Sequence, residues 1–208
     1  MMRTSFYPLR SSFLFVMDLL GGGLRVEYKE SSEEVLAKQM SSGDDRAFEE
    51  LYVRYFDQLF GFIKRRVDSP EIAEDLVSSI FLKVFAARKR FVGTTFKAWL
   101  YRIASNTLID HYRTHKPTTE FDSQQHDVAT SGSSTPETLD QRSLRQMLEK
   151  VLSHLDTRSQ LVIQLKFFSQ LSNEEIALTL HVSTNHVGVL TYRALQKCAK
   201  FFPKNMHL

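Results

Sequence analysis

The histidines are the first side chains to test for chemistry, because imidazole can ligate a metal or move a proton near neutral pH. His111 and His115 stand at i and i+4, on one face of a helix, but no third ligand accompanies them. His154, His181 and His186 lie elsewhere, and no HExxH spacing occurs. The chain has no glycine-rich phosphate loop and no GxGxxG fingerprint, and its acids are scattered along helix faces rather than paired. Cys198 is the sole cysteine, which excludes an internal disulfide or a cysteine-rich zinc site and fits a reducing compartment. It is expected to serve as a small buried hydrophobe. These residues do not assemble a reaction, so the expectation is a protein that binds, with no catalytic residues, metal or cofactor.

Recognition chemistry is better represented. Arg88, Lys89, Arg90, Lys97, Arg102, Arg113 and Lys116 fall within residues 86–116, opposed only by Asp110. Phe91, Phe96, Trp99, Tyr101 and Tyr112 are interleaved with them. Aromatic faces beside cations suit single-stranded nucleic acid, where each stacked base contributes ~1 to 3 kcal/mol. For any single aromatic, a core position at helical spacing is the simpler expectation, and Trp99 reads as mostly buried.

A second recognition element lies near the C-terminus. Ser172-Asn173-Glu174-Glu175 has capping-box spacing, opening a short helix, EEIALTL, followed by the turn HVST and a longer helix, NHVGVLTYRALQKC. This is the layout of a helix-turn-helix, whose second helix enters the major groove. Ala177 is the small residue where the helices approach, and His181 occupies the turn where a positive φ is expected. Ser183, Thr184, Asn185, His186 and Gly188 would face base edges, with Thr191, Tyr192 and Arg193 against the backbone. The alternative is a packed pair of helices with no ligand.

The elements that must position these residues are helical throughout. Ser31 with Glu34 is spaced like a capping box, opening a helix that ends at Gly43. Asp44 or Asp45 caps the next, with Phe48, Leu51, Tyr52, Tyr55, Leu59, Phe62 and Ile63 on one face. Asp68-Ser69-Pro70-Glu71 starts a third, with the stripe Ile72, Leu76, Ile80 or Phe81, and Val84. A fourth carries Phe96, Trp99, Leu100, Ile103, Leu108 and Tyr112. Residues 117–136 are polar and rich in Ser and Thr, the composition of a linker. Further helices are expected over Leu139 to Leu152, Ser159 to Phe168, Glu174 to Leu180 and Asn185 to Phe201. The fold class is therefore all-α: an appended N-terminal tail or misassigned start over 1–30, a helical domain over 31–116, a linker over 117–136 and a helix-turn-helix domain over 137–203.

With 208 residues, there is room for one ordinary domain or two small ones. At 42% hydrophobic and 25% charged the chain can bury a core, and a net charge of +3 is too small to identify a nucleic-acid partner without the clustering described above. Arg3 and Arg10 precede an apolar stretch, Phe13 to Met17, but Asp18 interrupts it and no A-x-A-like site follows, so neither a secretory signal nor membrane insertion is expected. The expected location is cytoplasmic.

Phe96-Lys97-Ala98-Trp99-Leu100-Tyr101-Arg102-Ile103-Ala104-Ser105-Asn106, Ala73-Glu74-Asp75-Leu76-Val77 and LSNEEIALTLHVS, in this order, resemble the extracytoplasmic-function branch of the bacterial sigma factor family, from about Leu36 to Phe201. The resemblance implies a region 2 bundle and a region 4 helix-turn-helix that direct promoter recognition, melting and initiation. Asp75, Leu76, Ser78, Phe81 and Val84 would bind the beta prime clamp of core RNA polymerase, whose beta flap is a further implied contact. Phe91, Gly93, Thr94 and Thr95 would pocket a base flipped from the non-template strand of the minus-ten element, with Arg102, Asn106 and Arg113 holding neighbouring DNA. The helix-turn-helix would read the minus-thirty-five element. An anti-sigma factor is the further partner that relatives imply.

The chain departs from the family at Ser78 and Ser79, where a glutamine and an acidic residue are usual, and at Gly188, where a basic residue is common. Val189 and Leu190 also replace polar positions. Gly188 lowers local helix stability by ~1 kcal/mol. Two other readings use the same residues. A helix-turn-helix regulator acting without polymerase would not need the aromatic loop of the first domain, and a helical adaptor would show no steep salt dependence of DNA binding.

Overall fold

The computed structural model describes residues 28–92, 95–115, 147–148 and 150–201, and these are helical with no strand among them. Gly93 and Thr94, the 117–136 linker and the expected helix start at Leu139 lie outside the described residues.

Helix α1 spans Glu33–Ser41. Its cap is Ser32 rather than Ser31: Ser32 Oγ accepts from Val35 N at 3.4 Å. Ser31 is unavailable because its own N–H donates to Tyr28 O at 3.2 Å and its carbonyl accepts from Arg54 Nη1 at 2.8 Å. The helix terminates as expected at Gly43, whose φ of +100° is open to glycine at little cost. Asp44 then caps α2, Asp45–Lys64, accepting from Arg46 N at 2.9 Å and Ala47 N at 3.3 Å. Ser69 caps α3, Pro70–Ala87, with Pro70 in the first turn where no N–H is needed.

The buried stripe of α3 is Ala73, Val77, Ile80, Phe81 and Val84, one residue round the helix from the expected one. Ile72 and Leu76 flank it half-covered. A 3-10 turn, Arg88–Arg90, leads towards α4, Phe96–His115.

In the C-terminal part, Asp156 caps α5, Thr157–Ile163, by accepting from Ser159 N at 3.0 Å. The expected helix to Phe168 does not run on as an α-helix: Gln164–Phe168 widens into a π-helical turn, closed by Ser169 N on Gln164 O at 2.9 Å. Helices α6, Asn173–Leu180, and α7, Thr184–Phe201, complete the chain's order.

Helices α1 to α4 pack around one aromatic-rich core, with Tyr52 on Phe81 at 4.5 Å between centroids, Phe48 on Phe85 at 5.0 Å and Phe62 edge-on to Tyr101 at 5.1 Å. The same core continues into Leu165, Leu171, Ile176 and Val187, because α6 lies against α4. A smaller cluster of Val151, Leu155, Ile163, Ala194 and Cys198 joins α5 to α7 and gives the cysteine the apolar place expected of it.

Tyr28 to Glu30, which the sequence assigns to the appended tail, belong to the folded unit. Tyr28 donates to Asp44 Oδ2 at 2.8 Å and packs on the core, while Arg54 Nη2 donates to the carbonyls of Tyr28 at 2.8 Å and Lys29 at 3.0 Å. Removing residues 1–30 is therefore expected to lower stability by ~1 to 2 kcal/mol relative to removing 1–27, since two guanidinium acceptors and the Tyr28 hydroxyl disappear. Urea midpoints of the two truncations measure it.

Candidate nucleic-acid interface

The start of α4 is held from three sides. Thr95 Oγ1 accepts from Ala98 N at 3.3 Å, and Trp99 N donates to Thr95 O at 3.2 Å, making Thr95 the cap. From α1, Glu33 accepts from Lys97 N at 3.1 Å and from the Tyr55 hydroxyl of α2. Burial pushes the Tyr55 phenol well above its ordinary range, and the adjoining Glu33 carboxylate acts the same way. The proton therefore stays on Tyr55, and the bond persists across ordinary pH.

Phe91 packs beside this start, 5.2 Å from Trp99 and 6.4 Å from Phe96 between centroids. It remains half-buried, next to Val92, which is 81% exposed. The other aromatics are taken by the core. Phe96, Trp99 and Tyr101 are buried, and Tyr112 turns inward to donate to Arg66 O at 2.5 Å. Of the interleaved aromatics, Phe91 and Tyr112 are half-buried, and Tyr112 commits its hydroxyl to the Arg66 carbonyl.

The basic run is also divided. Arg88 lies over the Phe85 ring at 3.7 Å and pairs with Asp45 at 3.1 Å, so it serves the fold. Arg102, half-buried, and Asn106 and Arg113, both exposed, follow one another at i, i+4 and i+11 along the outside of α4. Thr95, Arg102, Asn106 and Arg113 thus come together on one helix. Gly93 and Thr94 lie outside the described residues.

On α3, Asp75 is exposed and Leu76 and Ser78 are half-buried, whereas Phe81 and Val84 are 0% exposed and belong to the core. Those two cannot touch a partner as expected, because they point between α2 and α3. Leu82 was missed. It is 58% exposed and stands one helical face along from Asp75 and Ser78. The signal was present in the sequence, since Leu82 lies outside the expected stripe as well as the observed one and an apolar residue outside the buried stripe is a surface apolar residue.

The helix-turn-helix is built by its caps. Ser172 N donates to Glu175 Oε2 at 2.8 Å and Glu175 N to Ser172 Oγ at 3.1 Å, closing the expected capping box of α6. His181 takes φ 53° and ψ 47°, with its N–H on Ala177 O, so a non-glycine residue does adopt the left-handed end. Ser183 caps α7 by accepting from His186 N at 3.2 Å, and Val187, fully buried, seats the helix in the core. Ser183, Thr184, Asn185, His186, Gly188, Tyr192 and Arg193 are exposed. Thr191 is half-buried with its hydroxyl unpartnered. Lys197 of α7 pairs with Asp156 at the head of α5. Burial alone would raise the Asp156 carboxyl, but hydrogen bonds from Lys197 and Ser159 overcome it and hold the group at about 2.

Among the described residues, no group of three or more His, Cys, Asp and Glu side chains could hold a metal, and no helix is long and apolar enough to cross a membrane. The arrangement offers surfaces for an elongated anionic ligand.

Comparison with known proteins points the same way. The Sigma-70 region 2 family matches residues 51–118, and Sigma-70, region 4 matches residues 145–198. The ECF RNA polymerase sigma factor BldN of Streptomyces coelicolor is 30% identical over 172 residues, covering 81% of this chain but 65% of BldN, just under two thirds. The RNA polymerase sigma factor CarQ of Myxococcus xanthus is 31% identical over 161 residues, covering 77% of this chain and 91% of CarQ. The solved structure of CnrH in complex with the cytosolic domain of CnrY superposes with a TM-score of 0.62 at 26% identity, over 82% of this chain and 96% of CnrH.

Two stability outcomes follow from the site. A Cβ built on Gly188 meets nothing within 4 Å, so Gly188→Ala is expected to stabilise the chain by ~1 kcal/mol through helix propensity, read as a raised urea midpoint. Asp156 has a depressed folded-state pKa, so its contribution is complete above the unfolded value near ~3.9 and disappears as pH falls towards about 2. Asp156→Asn should accordingly lower the Tm at neutral pH, with the gap from wild type closing across that acid window.

Proposed function

The chain belongs to the extracytoplasmic-function branch of the bacterial RNA polymerase sigma factors, promoter-directing initiation factors with no reaction of their own, and from that premise we propose how its surfaces divide the work. The exposed face of α3, with Asp75, Leu76, Ser78 and the newly included Leu82, docks on the beta prime clamp of core polymerase. Ser78 and Ser79 place neutral side chains beside Asp75, leaving more of the contact to Leu82. The region 4 unit meets the beta flap.

The segment from Phe91 to Thr95 takes the flipped base of the minus-ten element, with Gly93 and Thr94 in the loop. Extruding a base costs a few kcal/mol, which must be recovered from stacking on Phe91 and from the pocket, so melting becomes selective for sequence. Arg102, Asn106 and Arg113 hold the neighbouring strand along α4. At the other end, Ser183 to His186 and Gly188 face base edges of the minus-thirty-five element, while Thr191, Tyr192 and Arg193 approach the backbone. Ser183 already spends its hydroxyl on the cap, so Asn185, with a free amide that can bond bidentately to adenine, carries most of the base discrimination.

The observation that carries this reading is the alignment of Arg102, Asn106 and Arg113 on the outer face of α4, the helix whose start adjoins Phe91. Residues 31–116 and 137–203 act as the two reading units and 117–136 as the tether between them. The chain works in the cytoplasm, where promoter DNA and polymerase are. An anti-sigma partner controls access, a reading supported by the solved structure of CnrH, which is in complex with the cytosolic domain of CnrY.

Run-off transcription with purified core polymerase and a promoter obtained by selection tests the assignment. Asn106→Ala and Asn185→Ala are each expected to reduce initiation roughly tenfold, in keeping with ~1 to 3 kcal/mol per specific contact. A protein that shifted duplex DNA yet neither bound core polymerase nor supported initiation would return the assignment to a polymerase-independent regulator.

A further inference from the structure

Resting on the reading of α7 as the helix that enters the major groove, we propose that Val189 reads a thymine of the minus-thirty-five element through the thymine methyl group. The buried side of α7 fixes which residues can reach DNA. Val187, Ala194 and Cys198 are buried and face the body of the protein. Each residue of an α-helix turns about 100° from the one before, so Asn185 and Val189, two residues before and two after Val187, are each turned roughly 160° away from it. Tyr192 and Gln196 continue the same outer face, and all four residues are exposed. Gly188 stands at the edge of that face, with no side chain to extend towards a base.

The chemistry of the outer face is uneven. Asn185 presents an amide, whereas Val189 presents only methyl groups and is 46% exposed. Gln196 Nε2 donates to the Tyr192 hydroxyl at 2.7 Å, which engages the polar end of that ring along the helix itself. Arg193 and Lys200, both exposed, lie to one side, where phosphates would pass. The middle of the face is therefore apolar, set between an amide and a cationic rim. A single exposed valine is ordinary on a protein surface. Its place at the centre of the groove-facing side is what distinguishes this one.

Of the four bases, thymine alone offers an apolar group in the major groove, its C5 methyl. Against Val189 that methyl leaves water without giving up a hydrogen bond. A cytosine in the same place would turn its N4 amine towards the valine, burying a donor that has no acceptor. Val189 thus favours thymine both by what it covers and by what it leaves unsatisfied in a competitor. Asn185 and Val189 are one turn apart, about 6 Å along the axis, close to two base-pair steps. The thymine accordingly lies within about two base pairs of the adenine bound by Asn185.

The full-length chain with core polymerase, on a promoter obtained by selection, tests the contact. Each thymine of the minus-thirty-five element is replaced in turn by deoxyuridine, which removes the methyl and keeps the base pair, and promoter affinity is read by fluorescence anisotropy. One replacement, within about two base pairs of the adenine whose preference Asn185→Ala abolishes, is expected to weaken wild-type binding roughly fourfold, the effect of exposing one buried carbon. Val189→Ser should bind the parent promoter more weakly by a similar factor and be indifferent to the same replacement. The wild-type comparison changes only the DNA, so it does not depend on how the variant folds.

Deoxyuridine promoters that all bind wild type as the parent does, or a sensitivity that survives in Val189→Ser, overturn the methyl contact. Weakened binding by Asn185→Ala alongside either result leaves α7 standing as the groove helix. If Asn185→Ala and a scrambled minus-thirty-five element both bind as the parent pair does, the reading of α7 itself fails and takes the proposal with it.

Discussion

Glu33 is the constraint on which the rest of the region 2 unit turns. It stands in the first turn of α1, yet its carboxylate is spent on two other helices, the Tyr55 hydroxyl of α2 and the Lys97 amide of α4. A negative charge there also suits the positive end of α4. One side chain thus fixes the start of the helix that carries Arg102, Asn106 and Arg113. Because helix α4 is rigid, placing its first turn places every residue on its outer face. The four-residue turn that leads into α1 is clamped by Arg54, so the anchor itself is anchored.

Region 4 is organised by a different device, a run of three caps. Ser172, His181 and Ser183 respectively open α6, end it and open α7, and together they set the angle at which α7 leaves the body of the protein. Val187 locks that angle by inserting into the core, which leaves the polar first turn of α7 to solvent. Gly188 stands on the exposed side with open space round it, so no packing demand explains it. A residue without a side chain at this position leaves the exposed face of α7 uncharged there.

A protein that melts promoters without chemistry has to supply free energy from binding alone. Single contacts with bases and phosphates are each worth a few kcal/mol at most, so the work is spread over three surfaces, α3, α4 and α7, joined in one chain. The structure packs α6, which carries none of the three, against α4. The interface between α6 and α4 brings Glu175 to the Thr95 hydroxyl at the start of α4, and Arg66 is buried against Gln164.

Much of this was legible in the sequence. The all-helical class, the start of α3 at Ser69-Pro70, the stop at Gly43, the capping box at Ser172 and the left-handed His181 all follow from local rules, in which a residue's neighbours in the chain supply its hydrogen-bond partners. The sigma-family motifs are of the same kind, short strings whose spacing survives in the linear text. What the sequence left undecided depended on contacts between distant segments. Ser31 lost the cap to Ser32 because Arg54, from the next helix, claimed its carbonyl. Phe81 and Val84, which the resemblance assigned to polymerase, lie in the stripe that helical spacing had already indicated, whereas Ala73 and Val77 replace Ile72 and Leu76 in it, because a stripe with apolar neighbours can be rotated by one residue until a partner helix selects its face. Tyr101 packs on Phe62 of α2, and Tyr112 turns its hydroxyl to the Arg66 carbonyl, both contacts with a distant segment. The docking of α6 on α4 and the π-helical turn that brings Gln164 to Arg66 are tertiary choices altogether, since burial of an apolar face is non-directional and nothing in the local sequence names which surface will cover it.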